Sequence, residues 1–382
     1  MSLLFLLYGT ILGTWTARIP AVKQHLGLGD GQPSIGLLAF AAGAIAGMQA
    51  AGPLVDRLRS RRVMIPAAIA DAALLVLPAF AFDLGSLAVC LFAFGAVHGT
   101  LNVAMNVNAV EVQRARGRPI ISSCHAVYSA GGFLGAGIGG LFAFAGAGAE
   151  ATFLSVALLA AGVAIWAAAW ALPAELARLP EPEPGVRRGA GLQSAVLFLG
   201  VLVFCCLVGE GAAADWSAVY LRDSLGTAAG FAAAAYAAFS IAMMAGRLAG
   251  DRLTTRLGPV RLVRACGVLA ACGLAGALLT GRPLAGVAGF ACLGAGLSCI
   301  APQVFAAAGS RDPARAGQAI GRVAGLGFLG FVAGPVLIGG AAQLFGLPRA
   351  LLIPAVLALF VAAAAPALRR RARAAPAAAP TR

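Results

Sequence analysis

One carboxylate in the second half of the chain stands inside an apolar run. Glu210, in VLVFCCLVGEGAAADWSAVYL, has Ser217 seven residues on, along the same helical face. A carboxylate held in hydrocarbon marks a functional site by default, and it can take up and release a proton. Asp215 and Arg222 follow nearer the end of that run. Arg18 lies at a similar depth in the first apolar run, so Arg18 and Asp215 are expected to form an outer gate pair. The segment FAFGAVHGTLNVAMNVNAVEVQR carries His98, Asn102, Asn106 and Gln113, whose spacing sets them along one helical stripe. Such a stripe does not face lipid, which leaves two readings open, the lining of a polar cavity and hydrogen bonding between helices. Glu111, beside the stripe, is expected to pair with Arg114 one turn on. His125 and Tyr128 share a face, suited either to touching a solute or to bonding each other in a core. Trp15, Trp216 and Tyr220 are suited to stacking on a sugar or other ring, and equally to an aromatic belt at the membrane interface.

Other chemistries lack their residues. The three histidines (25, 98 and 125) form no HExxH, and the eight cysteines form no CxxC pair, so no metal site or redox centre is expected. No GxxxxGK[ST] occurs, which removes ATP hydrolysis on motif grounds. No cofactor is implied. An enzyme embedded in the membrane would need a clustered acid, base or metal set, and these scattered groups supply none.

The elements that must hold these residues are helices in a membrane. Of 382 residues, 60% are hydrophobic and 11% charged, against about 25% charged in soluble domains. Apolar runs long enough to cross ~30 Å of hydrocarbon fall at 3–20, 34–54, 63–81, 85–110, 120–146, 151–172, 192–220, 226–247, 259–280, 283–306, 316–343 and 347–368. The first run lacks a basic leader and an A-x-A site, and reads as a helix and not as a signal peptide. The net charge of +14 suggests nucleic acid until the charges are placed. Assigned to alternate sides of the twelve runs, 23 of the 28 basic residues share one side. That asymmetry puts both termini in the cytoplasm and removes the nucleic-acid reading. The Pro-rich stretch 173–190, LPAELARLPEPEPGVRRG, separates six runs from six. The tail 369–382 is basic and rich in Ala and Pro, expected to be disordered.

The two halves repeat. Trp15-Thr16-Ala17 matches Trp216-Ser217-Ala218, Leu26-Gly27 matches Leu225-Gly226, Gly139-Gly140 matches Gly339-Gly340, and Asp56-Arg57-Leu58 matches Asp251-Arg252-Leu253. These offsets, 195 to 201 residues, imply duplication in parallel orientation, an architecture of transporters whose solute site lies between the halves. The runs 120–146 and 316–343 carry matching glycine stripes, Gly131, Gly135 and Gly139 in one and Gly330, Gly334 and Gly339 in the other, read as close helix packing.

The loop GPLVDRLRSRR (52–62) follows the second run, and GRLAGDRLTTRLG (246–258) follows the eighth. Both resemble the loop signature of the major facilitator superfamily, Gly-x-Leu-x-Asp-Arg followed by basic residues. In the first copy Arg59 stands where the signature has glycine. An aspartate at a helix end can accept hydrogen bonds from a neighbouring helix N-terminus and pair with arginine. Gly52, Asp56, Arg57, Arg61, Gly246, Arg247, Asp251 and Arg252 are therefore expected to switch the halves between states. RIPAVKQHLGL with EGxxxxWSAVYL is similar to a largely uncharacterised bacterial branch, distantly similar to the fucose permease-like sugar transporters. Those often carry a carboxylate in the fourth span, where Asn102 stands here.

The expectation is an all-α protein of the cell inner membrane, with bundles at 1–172 and 191–368. The resemblance implies a secondary active transporter for a small polar solute, sugar-like or an organic metabolite, coupled to protons through Glu210 and working as a monomer. A drug or metabolite efflux antiporter is the alternative, and a non-transporting sensor a more distant one.

Overall fold

The computed structural model describes residues 1–29, 31–169 and 190–369. The expected linker at 173–190 and tail at 369–382 lie almost entirely outside them.

Helices are the only way for one chain to cross hydrocarbon with every backbone group bonded inside its own segment, short of a closed barrel. The described residues are accordingly helical, without a strand. The first half contains α1 (Ser2–His25), α2 (Pro33–Leu58), α3 (Ser60–Leu74), α4 (Leu84–Arg116), α5 (Ile121–Phe144) and α6 (Ala149–Ala169). The second contains α7 (Ala190–Val219), α8 (Ala229–Thr280), α9 (Pro283–Leu297), α10 (Ile300–Arg311), α11 (Ala316–Phe345), α12 (Leu347–Ala350) and α13 (Leu352–Ala364). At 52 residues α8 runs to about 78 Å, over twice the ~30 Å it must cross. Gly258, at φ 74° and ψ 160°, breaks it into two crossings, 229–257 and 259–280. α9 with α10 makes one crossing, as does α12 with α13. Among the described residues this makes twelve crossings, six in each half.

Several helices begin or end on readable signals. Asp83 caps α4, its carboxylate accepting from the Ser86 amide at 2.7 Å while the Ser86 hydroxyl accepts from the Asp83 amide. Those bonds hold the exposed Asp83 carboxyl below its usual range. Pro33 and Pro283 open α2 and α9 in the first turn, where no amide donor is missed.

Glycine sets how closely helices approach. Gly131 and Gly135 of α5 press on the carbonyls of Leu6 and Thr10 in α1, where a β-carbon would overlap them. Thr14 then donates to the Gly135 carbonyl at 3.3 Å. Gly330 of α11 lies in the same way on the Phe204 carbonyl of α7. The stripes of the two halves thus tie first and fifth crossings together in both bundles. Between the bundles, α2 lies on α11 and α5 on α8.

The eighth crossing departs from its expected bounds. The apolar run ends at 247, but the helix continues ten residues beyond it, so Arg247 lies inside the helix and not in a loop. The charges of DRLTTR extend this helix past the hydrocarbon; they do not end it.

Candidate solute site and gates

The face of the bundle at Arg59, Gly117 and Gly258 is the basic one, and two aspartates join the halves there. Asp56, at the end of α2, accepts from the Gly317 and Gln318 amides at the start of α11, at 2.7 and 3.1 Å. Asp251 of α8 accepts from the Ser122 and Ser123 amides in the first turn of α5, at 3.0 and 2.9 Å, and from the Ser123 hydroxyl. Helix N-termini carry unpaired amides and partial positive charge, so each carboxylate satisfies donors that its own half does not supply. Close approach makes this possible. A β-carbon on Gly52 would lie 2.9 Å from the Gln318 α-carbon, and one on Gly250 would lie 2.7 Å from that of the Ser122 side chain. Gln49 adds a bond to the Gly321 carbonyl at 3.2 Å, and Arg114 one to the Gly309 carbonyl at 3.1 Å. The basic face is closed.

The remaining switch candidates divide. Arg57 and Arg252 are exposed, Arg61 donates to the Ala168 carbonyl at 3.0 Å, and Gly246 faces Ser298. Arg247 is corrected: it is a buried residue of the membrane interior. Its guanidinium sits 3.3 Å from a Glu210 oxygen and donates to the Ser129 hydroxyl of the other half at 2.7 Å. The pair is neutral overall, which is what allows two charges at this depth. Glu210 also faces the Cys206 thiol.

The polar stripe of α4 bonds to other helices. His98 is 2% exposed, and its Nδ1 lies 3.2 and 3.1 Å from the two oxygens of Asp71 in α3. Asn102 donates to the Tyr8 hydroxyl of α1 at 3.2 Å. Asn106 donates to the Asn102 carbonyl at 2.9 Å, and its side-chain oxygen lies 3.2 Å from His125 Nε2. Gln113 accepts from the Ile120 amide at 3.0 Å. Of the two readings, hydrogen bonding between helices is what this conformation displays. Glu111, expected beside Arg114, accepts from Ser60 at 2.5 Å and Asn108 at 3.2 Å.

A set of half-buried groups, with the buried Arg247, nevertheless gathers between the bundles. His125 stacks on Phe305 of α10, 5.9 Å between ring centres, and Tyr128 lies 5.5 Å from Tyr8. With Asn102, Ser129, Arg247 and Glu210 these groups offer donors, acceptors, both charges and aromatic faces to a small polar solute.

Three expected solute contacts lie elsewhere. Trp15 is buried against Phe153 of α6, Tyr220 against Phe290 of α9, and Trp216 covers Gly339 of α11. The Arg18–Asp215 pair is not made: Arg18 donates to the Ala147 carbonyl of its own half at 2.5 Å, and Asp215 is exposed. Sequence reasoning passed over Tyr8, Ser129 and Asp71. An acid inside an apolar run was a sufficient signal for Asp71, by the rule that singled out Glu210.

The sequence matches the family model for the Major Facilitator Superfamily over residues 1–321 and 218–382. It is 34% identical over 371 residues to the uncharacterized transporter y4wD of Sinorhizobium fredii, covering 96% of each chain. An uncharacterized MFS-type transporter of Yersinia pestis is 34% identical over 386 residues, covering 96% of this chain and 94% of that one. The membrane protein MosC of Rhizobium meliloti is 31% identical over 366 residues, covering 94% and 87%. Among solved structures, FucP in its outward conformation superposes with a TM-score of 0.77 at 18% identity, over 97% of this chain and 98% of that one. The human organic anion transporter MFSD10 gives 0.72 at 16% identity, over 96% and 97%.

Proposed function

Because the chain belongs to the major facilitator superfamily and is a membrane transporter of that family, we propose that it carries a small polar solute across the cell inner membrane by alternating access, coupled to protons. The solute is sugar-like or an organic metabolite. The observation that carries this reading is the inter-half cluster of Glu210, Arg247 and Ser129. It places a charge pair at the seam where a solute and a moving half would both meet it. The two aspartate contacts on the basic face supply the complementary part, a closure made of few bonds and broken as the halves rock. The bundles at 1–172 and 191–368 are the moving bodies, and the basic face is cytoplasmic, with both termini on it.

The fold likeness to a protein titled a fucose:proton symporter supports the proton-driven form of the reading. With Asn102 in place of a carboxylate, Glu210 is, among the described residues, the membrane-interior acid beside the seam in this reading.

The test begins with a thermal-shift screen of purified protein against sugars, sugar acids, amino acids and common drugs, since a ligand of the folded state raises its stability. The compound with the largest shift is then loaded into proteoliposomes. Counterflow without a gradient, and accumulation driven by an imposed pH difference, are the expected results. Binding without counterflow would make the protein a sensor.

A further inference from the structure

Asp71 lies eleven residues into α3, about 16 Å from its start on the basic face, close to half the thickness of the hydrocarbon. It is 0% exposed, and His98 reaches both of its oxygens from α4. Aromatic rings enclose the pair. Tyr8 of α1 stacks on the imidazole with ring centres 3.8 Å apart and 11° between planes. Phe40 of α2 and Phe94 of α4 stand 5.6 and 5.8 Å from it. His98 Nε2 is buried with no hydrogen-bond partner among the described residues.

Charge arithmetic decides what such a pocket holds. A carboxylate beside a neutral imidazole leaves one uncompensated negative charge in a buried enclosure of aromatic rings, an expensive arrangement. One added proton makes the pair neutral, whether as carboxylate and imidazolium or as two uncharged groups. Among the described residues no other charge is at hand to do this. From α1 the facing ionisable group is Tyr8, and behind it Tyr128 of α5; α2 brings Phe40, and α4 brings Phe94 and Asn102. The acid of α6, Glu150, is exposed at its first turn. The Arg247–Glu210 pair is already neutral and belongs to the opposite half.

We propose that Asp71 and His98 form a proton-binding site in the first half of the chain, distinct from the Glu210–Arg247 pair, which holds one proton while the basic face is closed. The proton comes from bulk water and returns to it, and no other bond is made or broken. Release follows when the halves exchange state and water reaches His98 Nε2. A polar path stops one ring away: the Tyr8 hydroxyl, Asn102, Asn106 and His125 are joined by hydrogen bonds, and His125 stacks on Phe305 of the other half. This inference rests on the proton-coupled reading above and assigns where its proton sits.

The experiment needs no solute. Hydrogen exchange of the Gly317 and Gln318 amides, which Asp56 holds while the basic face is closed, reports the opening equilibrium of full-length protein in lipid nanodiscs. It is read from pH 6 to 9 and corrected for the intrinsic pH dependence of exchange. A closed state that binds one more proton than the open state makes the opening constant rise by up to tenfold per pH unit. Asp71→Asn, which removes the acid whose charge the proton cancels, is expected to abolish that slope, while the doubly neutral Glu210→Gln/Arg247→Gln keeps it. Should Asp71→Asn not fold, Asp71→Asn/His98→Gln, a neutral amide pair in the same place, carries the comparison. A flat wild-type profile overturns the site, as does a slope that persists in Asp71→Asn or in Asp71→Asn/His98→Gln. The coupled reading fails separately: it falls if wild-type proteoliposomes loaded with pyranine record no pH change while transporting the compound found by thermal shift.

Discussion

Arg247 and Glu210 cancel each other's charge only while both are present. With side chains 8% and 19% exposed, neither has bulk water to fall back on. Removing one partner of a buried pair costs about 3–5 kcal/mol, because the other is left charged and unpaired. Glu210→Gln is expected near the lower end, about 3 kcal/mol, since Ser129 still accepts from the guanidinium. The loss is read as a lower melting temperature in detergent. The double variant Glu210→Gln/Arg247→Gln should regain most of that stability and still fail to accumulate solute against a gradient. A double variant that transports uphill would remove the pair from the mechanism. Glu210 was legible because an acid in an apolar run stands out against its neighbours. Its partner was not, because Arg247 is the last residue of an apolar run and is followed by three charges, Asp251, Arg252 and Arg256, which reads as a loop. His98 was legible as polar but not as half of a pair, since Asp71 comes 27 residues earlier, on another helix.

The loop signature shows how a local backbone requirement survives in two different sequences. Gly258 turns the chain between two crossings at φ 74° and ψ 160°. Arg59 makes the equivalent turn between α2 and α3 at φ 74° and ψ 150°. Glycine takes that conformation freely, whereas a residue with a β-carbon holds it at a cost on the order of 1–3 kcal/mol. Arg59→Gly should therefore raise the melting temperature, by roughly 1 kcal/mol of stability once the greater freedom of glycine in the unfolded chain is set against the relieved strain. Gly258→Ala should lower it. Equal melting temperatures for Arg59→Gly and the wild type would mean that the arginine is not strained. The crossings themselves were readable from apolar length, and the glycines that pack helices within each bundle from their spacing. The end of the eighth crossing was not. Asp56 precedes its turn residue by three positions and Asp251 by seven, so the second copy carries one more helical turn. A repeat aligned on the aspartates hides that turn.

At the scale of the whole molecule, the duplication places one carboxylate from each half on a helix N-terminus of the other. The charge asymmetry of the loops predicts which side this closure faces: reporter fusions at the C-terminus and after residue 180 should both report cytoplasm, and a periplasmic C-terminus would invert the assignment. Asp56 accepts two backbone bonds, from Gly317 and Gln318. Asp251 accepts two from Ser122 and Ser123 and a third from the Ser123 hydroxyl. Hydrogen bonds to a charged group contribute about 1.5–3 kcal/mol, and an asparagine keeps one acceptor oxygen while losing the charge. Each of Asp56→Asn and Asp251→Asn should then cost the closed state about 1.5 kcal/mol or slightly more, roughly a tenfold shift toward opening. Because the aspartates lie on opposite halves but hold the same closure, their effects should add in the double variant, to roughly a hundredfold. Amide exchange in the first turns of α5 and α11 reads this directly, and single variants should accelerate both turns together, since the halves open as bodies. Acceleration confined to the turn that lost its own aspartate would mean that each contact frays alone, and that neither controls the state of the transporter.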